Sequence, residues 1–227
     1  MKKIIQNSLA LLGLEIRRKP AAAQKGFEIT SPLEHNTEKR MNDFFSDADL
    51  VERYLDPSRK EFYNAVIAVA QKNNVDFKEK SIVDVGCGTG HLLSFLNEQF
   101  PESTYSGFDF SEAALLLAKR VLPKGAFRKN NIYEKPTEKF DIVICTEVLE
   151  HLTDPYTAYV NLLEGLKPSG SCVLSVPNGR KDNYDGHINF WSPESWKFFL
   201  ERFSPPGCTV VTGEFENGTD LYAIIKI

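Results

Sequence analysis

The 227-residue chain has only four cysteines, no long apolar run and little excess charge of either sign. The cysteines lack the C-x-x-C spacing of zinc or redox sites, so we expect small buried side chains in a reducing compartment. No apolar run is long enough to span a bilayer. A net charge of −4 argues against a global basic surface for duplex nucleic acid, although a local basic patch stays open.

The chain does contain enough apolar side chains for a core. Hydrophobic residues make up 42% and charged residues 26%, which is ordinary for a globular domain. The length fits one domain with an additional segment at one end. We expect this domain to span residues 41–227, after an N-terminal helix and linker at residues 1–40.

Residues 1–19 carry apolar side chains at near-helical spacing, bracketed by basic residues. This pattern predicts a basic amphipathic helix, which either touches a membrane surface peripherally or packs on its own domain or a second subunit. We expect a cytoplasmic protein, with peripheral contact to the inner face of a membrane as an alternative that stays open; the oligomeric state is not predicted. Residues 41–60 include Phe44, Phe45 and Tyr54 among acidic residues, and we interpret them as a lid over the main site.

Residues 82–93, IVDVGCGTGHLL, are the most informative segment. Ile82 to Val85 is typical of a buried parallel strand, and three glycines then turn the chain into a helix whose free N–H groups face a ligand. The dinucleotide fingerprint is G-x-G-x-x-G, whereas here Asp84 stands two residues before Gly86. An acid suits a cofactor with an ammonium and a sulfonium group and would repel a pyrophosphate.

The sequence beyond this turn alternates predicted strands and helices. Ser111, Asp154 and Ser192 are predicted helix N-caps, and a turn is expected at 166–170. The predicted strands are 103–110, 125–132, 140–146 and 171–176, the helices 112–121, 155–166 and 193–203, and the C-terminal hairpin 209–215 with 221–227.

The D-x-G-x-G-x-G turn, the E-V-L-E-H segment at 147–151 and the L-K-P-S-G turn resemble class I S-adenosylmethionine-dependent methyltransferases over roughly residues 60–227. The resemblance implies an α/β fold: a Rossmann-like, seven-stranded, mostly parallel sheet with helices on both faces and a C-terminal antiparallel hairpin strand. It implies that the glycines approach the methionine end of the cofactor, Asp109 the ribose, and Asn131 with Ile132 the adenine. The full implied set of cofactor contacts is Asp84, Gly86, Cys87, Gly88, Gly90, Asp109, Phe110, Asn131, Ile132 and Thr146.

Glu147, Glu150 and His151 stand at positions i, i+3 and i+4. On a helical turn they would share one side, and with His187 they form a candidate site for Mg²⁺ or Mn²⁺. This layout resembles ubiquinone-biosynthesis O-methyltransferases and small-RNA 3′-end 2′-O-methyltransferases. Two alternatives stay open: His151 acts directly as a base, or the segment is mainly structural.

The acceptor is expected beside residues 176–196, where cations and aromatics alternate. Arg180, Lys181, Tyr184, Trp191 and Trp196 are the candidates, although Trp196 has the spacing of a core residue. We predict O-methylation of a glycan or small-molecule hydroxyl, since residues 12–18 (LGLEIRR) resemble the start of methyltransferases of bacterial surface-glycan synthesis. Alternatives are a quinone-like phenol, an RNA 3′ end, a non-catalytic protein that binds S-adenosylmethionine, and a dehydrogenase.

Overall fold

The computed structural model describes residues 32–55 and 57–227. The amphipathic helix predicted at 1–19, and with it the segment that resembles glycan enzymes, lies outside the described residues. Among the helices within the described ranges, none combines the length and the apolar composition needed to cross a membrane.

Four helices precede the first strand of the described chain. Their bounds are α1 Pro32–His35, α2 Glu38–Ser46, α3 Ala48–Tyr54 and α4 Pro57–Lys72. The hydroxyl of Thr37 caps α2 by accepting from the N–H of Arg40, and Asp47 caps α3 in the same way. Helix α2 therefore begins before the expected domain boundary at residue 41.

The centre of the molecule is a seven-stranded sheet in the order β3-β2-β1-β4-β5-β7-β6. Strands β1 to β5 are parallel, whereas β7 runs antiparallel to both β5 and β6. The bounds are β1 Ser81–Val85, β2 Thr104–Asp109, β3 Ala126–Lys129, β4 Phe140–Thr146, β5 Leu166–Pro177, β6 Thr209–Phe215 and β7 Asp220–Lys226.

Helices cover both faces of the sheet because successive side chains of each strand point to opposite faces. Ile82 packs into a core with α4, with α5 (His91–Gln99) and with α6 (Glu112–Val121). Its neighbour Val83 packs into the opposite core, with α7 (Pro155–Glu164) and α8 (Pro193–Phe203). The expected fold is confirmed: a Rossmann-like, mostly parallel sheet that ends in an antiparallel hairpin.

The turn expected at residues 166–170 is instead part of β5. Phe140 pairs with Leu166, but Ile142 pairs with Ser171, so the intervening residues of β5 form a bulge. Ser169 has φ +63°, a left-handed conformation that accommodates the extra backbone. The predicted turn is therefore wrong, because strand pairing continues on both sides of the bulge.

This bulge carries Lys167 to a polar cluster at the amino end of the strands. The carboxylate of Asp141 accepts from the N–H of Ser81 at 2.9 Å and from Lys167 Nζ at 2.9 Å. Burial alone would raise the pKa of Asp141, but the hydrogen bonds from Ser81 and Lys167 outweigh it and hold the pKa at about 2. The charged form of Asp141 thus ties β1, β4 and β5 together.

We expect Asp141→Asn to destabilise the protein at pH 7 by about 1 kcal/mol, a value reduced for solvent screening of the half-exposed Lys167. Because the folded pKa lies below the unfolded one, this stability is present above about pH 4 and is lost as the pH falls toward 2. Urea unfolding at pH 7 and pH 3 tests this. Glu98→Gln, which removes an exposed charge on α5, is the control; an equal loss in both variants would contradict the assignment.

Candidate active site

The three glycines after β1 form a turn at the carboxyl end of the strand. Gly86, Gly88 and Gly90 all have positive φ values, of +82°, +47° and +74°. A Cβ at Gly86 would collide with Val148, so the turn lies directly against the segment that follows β4. A Cβ at Gly88 would lie 3.7 Å from Cζ of Phe45, an ordinary van der Waals contact, so a side chain of the preceding helix α2 lies next to this part of the turn.

Two buried acids flank this turn. Asp109 ends β2, and its carboxylate accepts from the N–H of Gly88 at 2.9 Å and from the N–H of Ser111 at 2.8 Å. Asp84 is 3% exposed, and its Oδ1 has no hydrogen-bond partner among the described residues. Burial, with a smaller contribution from the charge of Asp109, raises the pKa of Asp84 to about 8. A cationic ligand group beside Asp84 would offset the cost of burying its ionised carboxylate, so this position is suited to such a group.

The residues expected at the adenine follow the neighbouring strands. Phe110 comes directly after β2 and is 37% exposed. Asn131 and Ile132 lie in the connection after β3, where the side chain of Asn131 accepts from the N–H of Tyr133 at 3.1 Å. Thr146 is the last residue of β4. The structure therefore gathers the predicted cofactor residues at the carboxyl edge of the sheet; their individual roles stay predictions.

Helix α2 lies over the glycine turn, in the position expected for a lid. Its Phe45 is 6% exposed and rests beside Gly88. Its Asn42 accepts from the hydroxyl of Ser111 at 2.8 Å and from the N–H of Ala113 at 3.1 Å, at the N-terminus of α6. Asn42 was not singled out from the sequence, because its partners are about 70 residues away in the chain.

Glu147 does not share one side of a helical turn with Glu150 and His151, so this part of the prediction is wrong. Only Leu149–His151 is helical, as a 3-10 turn, and Glu147 precedes it with φ +56°. That conformation directs Glu147 to the hydroxyl of Ser175, which donates to Oε1 at 2.8 Å. Burial, and next the charge of Asp220, raise the pKa of Glu147.

The remaining three residues of the predicted metal set do converge. Glu150, His151 and His187 each offer one potential ligand atom, and these atoms lie within 4.8 Å of one another. Glu150 is 1% exposed, and neither of its carboxylate oxygens has a hydrogen-bond partner among the described residues. The predicted set of four is thus reduced to three, without Glu147.

The ring nitrogens of both histidines are oriented by neighbours. Nδ1 of His151 donates to the carbonyl of Gly186 at 3.2 Å, and Nδ1 of His187 pairs with Oδ2 of Asp182 at 2.5 Å. These acceptors assign the proton to Nδ1 and leave Nε2 of each ring with a lone pair. Nε2 of His151 lies 3.7 Å from Oε1 of Glu150.

Burial favours the uncharged forms of His151 and Glu150. It lowers the pKa of His151 to about 4 and, together with the charge of Glu147, raises the pKa of Glu150 well above its usual range. The contact between His151 and Glu150 is therefore not an ion pair at neutral pH. Two imidazole lone pairs beside an unpartnered buried carboxyl group fit a divalent cation, which would stabilise the ionised carboxylate.

Two of the aromatic residues predicted to contact the acceptor, Trp191 and Trp196, are buried in the core. Trp196 is fully buried, as its helical spacing predicted, and Trp191 is 8% exposed, so it is a core residue and not an acceptor contact. Tyr184 and Phe190 are about half exposed on either side of His187, with ring centroids 4.9 and 6.2 Å from it. These two rings line the outer part of the site.

The two cations of this loop are engaged elsewhere. Arg180 pairs with Glu194 at 2.6 Å, and Lys181 donates to the carbonyl of Asn217 at 2.9 Å. Sequence reasoning missed Asp182 and Asp220, whose charges act on Glu147 and Glu150. Only the return of the loop and of β7 to this edge brings these acids to the site.

We expect Asp84→Asn to change the pH dependence of stability. In the wild type the folded state keeps a proton on Asp84 up to about pH 8, whereas the unfolded chain releases it near pH 4, so the free energy of unfolding falls as the pH rises between these values. In the wild type this decrease in the free energy of unfolding amounts to a few kcal/mol, on the order of magnitude given by the pKa difference, and the variant should lack it. Thermal unfolding of both proteins at pH 5 and pH 8 measures it.

Glu98→Gln, on the exposed face of α5, should keep the wild-type slope. Because the expected cofactor carries an ammonium group, Asp84→Asn should also bind S-adenosylhomocysteine about tenfold more weakly in calorimetric titration. An unchanged slope together with unchanged affinity would contradict both statements about Asp84.

Comparison with known proteins identifies the family of this chain. A family model described as a methyltransferase domain matches residues 58–204, more than half of the chain. The chain is 30% identical over 158 residues to a ubiquinone biosynthesis O-methyltransferase of Coxiella burnetii, over 65% of this chain and 66% of the relative. It is 27% identical over 114 residues to a trans-aconitate 2-methyltransferase of Escherichia coli, over 50% of this chain and 44% of that protein. The chain therefore spans just under two thirds of the first relative and less than half of the second.

The fold also matches solved structures. The N-methyltransferase NodS of Bradyrhizobium japonicum in complex with S-adenosylhomocysteine superimposes with a TM-score of 0.64 at 18% identity, over 84% of this chain and 98% of that chain. The family model, the relatives and the structural match all point to methyltransferases. The chain therefore belongs to the methyltransferase-domain family, and it shares its fold with a methyltransferase whose structure contains S-adenosylhomocysteine.

Proposed function

We propose that this chain is an S-adenosylmethionine-dependent enzyme that methylates a hydroxyl oxygen of a small-molecule or glycan acceptor. The supporting observation is that the potential ligand atoms of Glu150, His151 and His187 lie within 4.8 Å of one another. The carboxyl group of Glu150 has no hydrogen-bond partner among the described residues. A hydroxyl is a poor nucleophile until its proton is removed or its pKa is lowered, and these side chains suit that task.

The cofactor is placed by the residues at the carboxyl ends of β1 to β4. In this proposal the backbone of Gly86, Gly88 and Gly90 lies against the methionine part, and Asp84 accepts from its ammonium group. Asp109 holds the ribose hydroxyls. The remaining predicted contacts form the adenine end of the site; they are Phe110, Asn131, Ile132 and Thr146, while Cys87 contributes through its backbone.

The reaction is an in-line displacement. A lone pair of the acceptor oxygen forms the new O–C bond while the C–S bond breaks, the bonding pair stays on sulfur, and S-adenosylhomocysteine leaves. The acceptor proton is released to water. In this proposal the protein aligns the two substrates on either side of the contact between Gly86 and Val148. Helix α2 then excludes water from the cofactor side.

Glu150, His151 and His187 would hold Mg²⁺ or Mn²⁺ in this site. A cation there supplies a positive charge that lowers the pKa of an acceptor hydroxyl. The alternative, in which His151 alone acts as base, is less favourable, because a pKa of about 4 makes the ring a weak base at neutral pH. The lone pair on Nε2 suits a ligand better.

A second candidate acceptor is a phenol with a neighbouring oxygen, such as a quinone precursor. Two observations favour it: the 30% identity to a ubiquinone biosynthesis O-methyltransferase, and the half-exposed rings of Tyr184 and Phe190 beside His187. An RNA 3′ end is less favoured, since the chain has a net charge of −4.

The test is methyl transfer from labelled S-adenosylmethionine to three acceptors: a sugar with adjacent hydroxyls, a catechol, and a short RNA with a free 3′ end. Each is assayed with Mg²⁺, with Mn²⁺ and with a chelator. We expect transfer to the first or the second acceptor, stimulated by metal. Methylation restricted to amines, or rates indifferent to the chelator, would contradict the proposal.

Glu150→Gln should lower kcat/KM by about 100-fold or more, since it removes the buried carboxylate while preserving its shape. Glu201→Gln, an exposed position on α8, is the matched control and should retain wild-type rates. Binding of S-adenosylhomocysteine should be unchanged in both variants. A Glu150→Gln enzyme with full metal-stimulated activity would remove Glu150 from the site.

A further inference from the structure

Asp182 makes the most buried charged contact in the loop between β5 and α8. Its Oδ2 meets Nδ1 of His187 at 2.5 Å, and each of these two side chains is only 10% exposed. Its Oδ1 accepts from the N–H of Tyr184 at 3.1 Å, and its own N–H donates to the carbonyl of Asn178 at 3.0 Å. The carboxylate is therefore fixed by the backbone on one side and faces the imidazole with the other.

A carboxylate can only accept a hydrogen bond, so this contact assigns the ring proton of His187 to Nδ1. The lone pair then lies on Nε2, the nitrogen that remains for the cluster with Glu150 and His151. The carbonyl of Gly186 assigns His151 in the same sense, through Nδ1 at 3.2 Å. Both rings thus keep the lone pair on the same nitrogen, Nε2, and that of His151 lies 3.7 Å from Oε1 of Glu150.

We propose that Asp182 is a positioning residue that fixes the tautomer and orientation of His187, so that its Nε2 binds the cation of the active site. This inference rests on the proposed function of that cluster. A carboxylate behind a histidine raises the basicity of the ring and prevents its rotation, and the loss of such a partner costs about 10- to 100-fold in metal affinity. Asp182 itself does not touch either substrate.

The loop has supports that do not involve Asp182. Asn178 is 2% exposed and donates through Nδ2 to the carbonyl of Gly218, and its N–H donates to Thr219. Asn36 donates to the carbonyl of Gly186 at 2.9 Å. We therefore expect Asp182→Asn to fold, while its amide group can donate to Nδ1 and favour the opposite tautomer of His187.

The first experiment reads the tautomer directly. Long-range ¹H–¹⁵N spectra of the full chain, labelled on histidine and free of metal, are recorded near pH 8.5, where a typical imidazole is neutral (pKa about 6.5). The chain has four histidines, and His187→Gln assigns the relevant signals. We expect protonated Nδ1 and unprotonated Nε2 in the wild type, and a shift toward the opposite tautomer in Asp182→Asn.

The matched control is Asp185→Asn, which removes the same charge from an exposed position of the same loop. The second measurement is calorimetric titration with Mn²⁺ alone. We expect about 10- to 100-fold weaker binding in Asp182→Asn and wild-type binding in Asp185→Asn. A purely structural role for Asp182 would lower the thermal stability without changing the tautomer of the folded protein.

A wild-type spectrum with the proton of His187 on Nε2 would overturn the inference without any variant, and so would an unchanged tautomer in Asp182→Asn. Equal losses of Mn²⁺ affinity in both variants would also overturn it, since they would reflect net charge alone. If the wild type binds no Mn²⁺, the metal centre fails as well, and the proposed role of Asp182 fails with it. The tautomer would then still show whether Asp182 orients His187.

Discussion

The burial of carboxyl groups at one edge of the sheet is the constraint on which the rest of this structure depends. Asp84, Asp109 and Glu150 are all less than 9% exposed, and Glu147 lies beside them. A buried carboxylate without a cationic partner is costly, and Asp84 and Glu150 each have buried oxygens that lack a hydrogen-bond partner among the described residues. The site is therefore complementary to positive charge at two places. One place suits the ammonium and sulfonium of the proposed cofactor, and the other suits the cation that we propose beside the acceptor.

The parallel arrangement of β1 to β5 brings these groups together. Parallel strands deliver their carboxyl ends to the same edge, so residues far apart in sequence become neighbours after folding. Val148 illustrates this, because its side chain packs where a Cβ of Gly86 would stand. The glycine turn therefore packs directly against the segment that leads into the cluster of Glu150, His151 and His187.

Much of this architecture could be predicted from the sequence, since it follows from local patterns. The apolar run of β4 and the capping serine of α6 predicted the bounds of these two elements to the residue. The glycine turn and Asp109 lie where their spacing placed them. The conformation of Glu147 could not be predicted, because a positive φ at a non-glycine residue is imposed by the packing of Val148 and the bond to Ser175. Asp182 was missed because the loop after β5 folds back on itself to bring it to His187. The spacing of residues in the sequence gives no sign of this conformation.

The contact between Phe45 and Gly88 also has a consequence for the order of events in turnover. A molecule that lies against the glycine turn would share its outer wall with α2, so we expect α2 to move when such a molecule enters or leaves. The contacts that hold α2 include the two hydrogen bonds of Asn42 at the start of α6, each worth about 1 kcal/mol, and the buried ring of Phe45. If the opening of α2 is slower than methyl transfer, it sets the rate at which spent cofactor is exchanged for fresh.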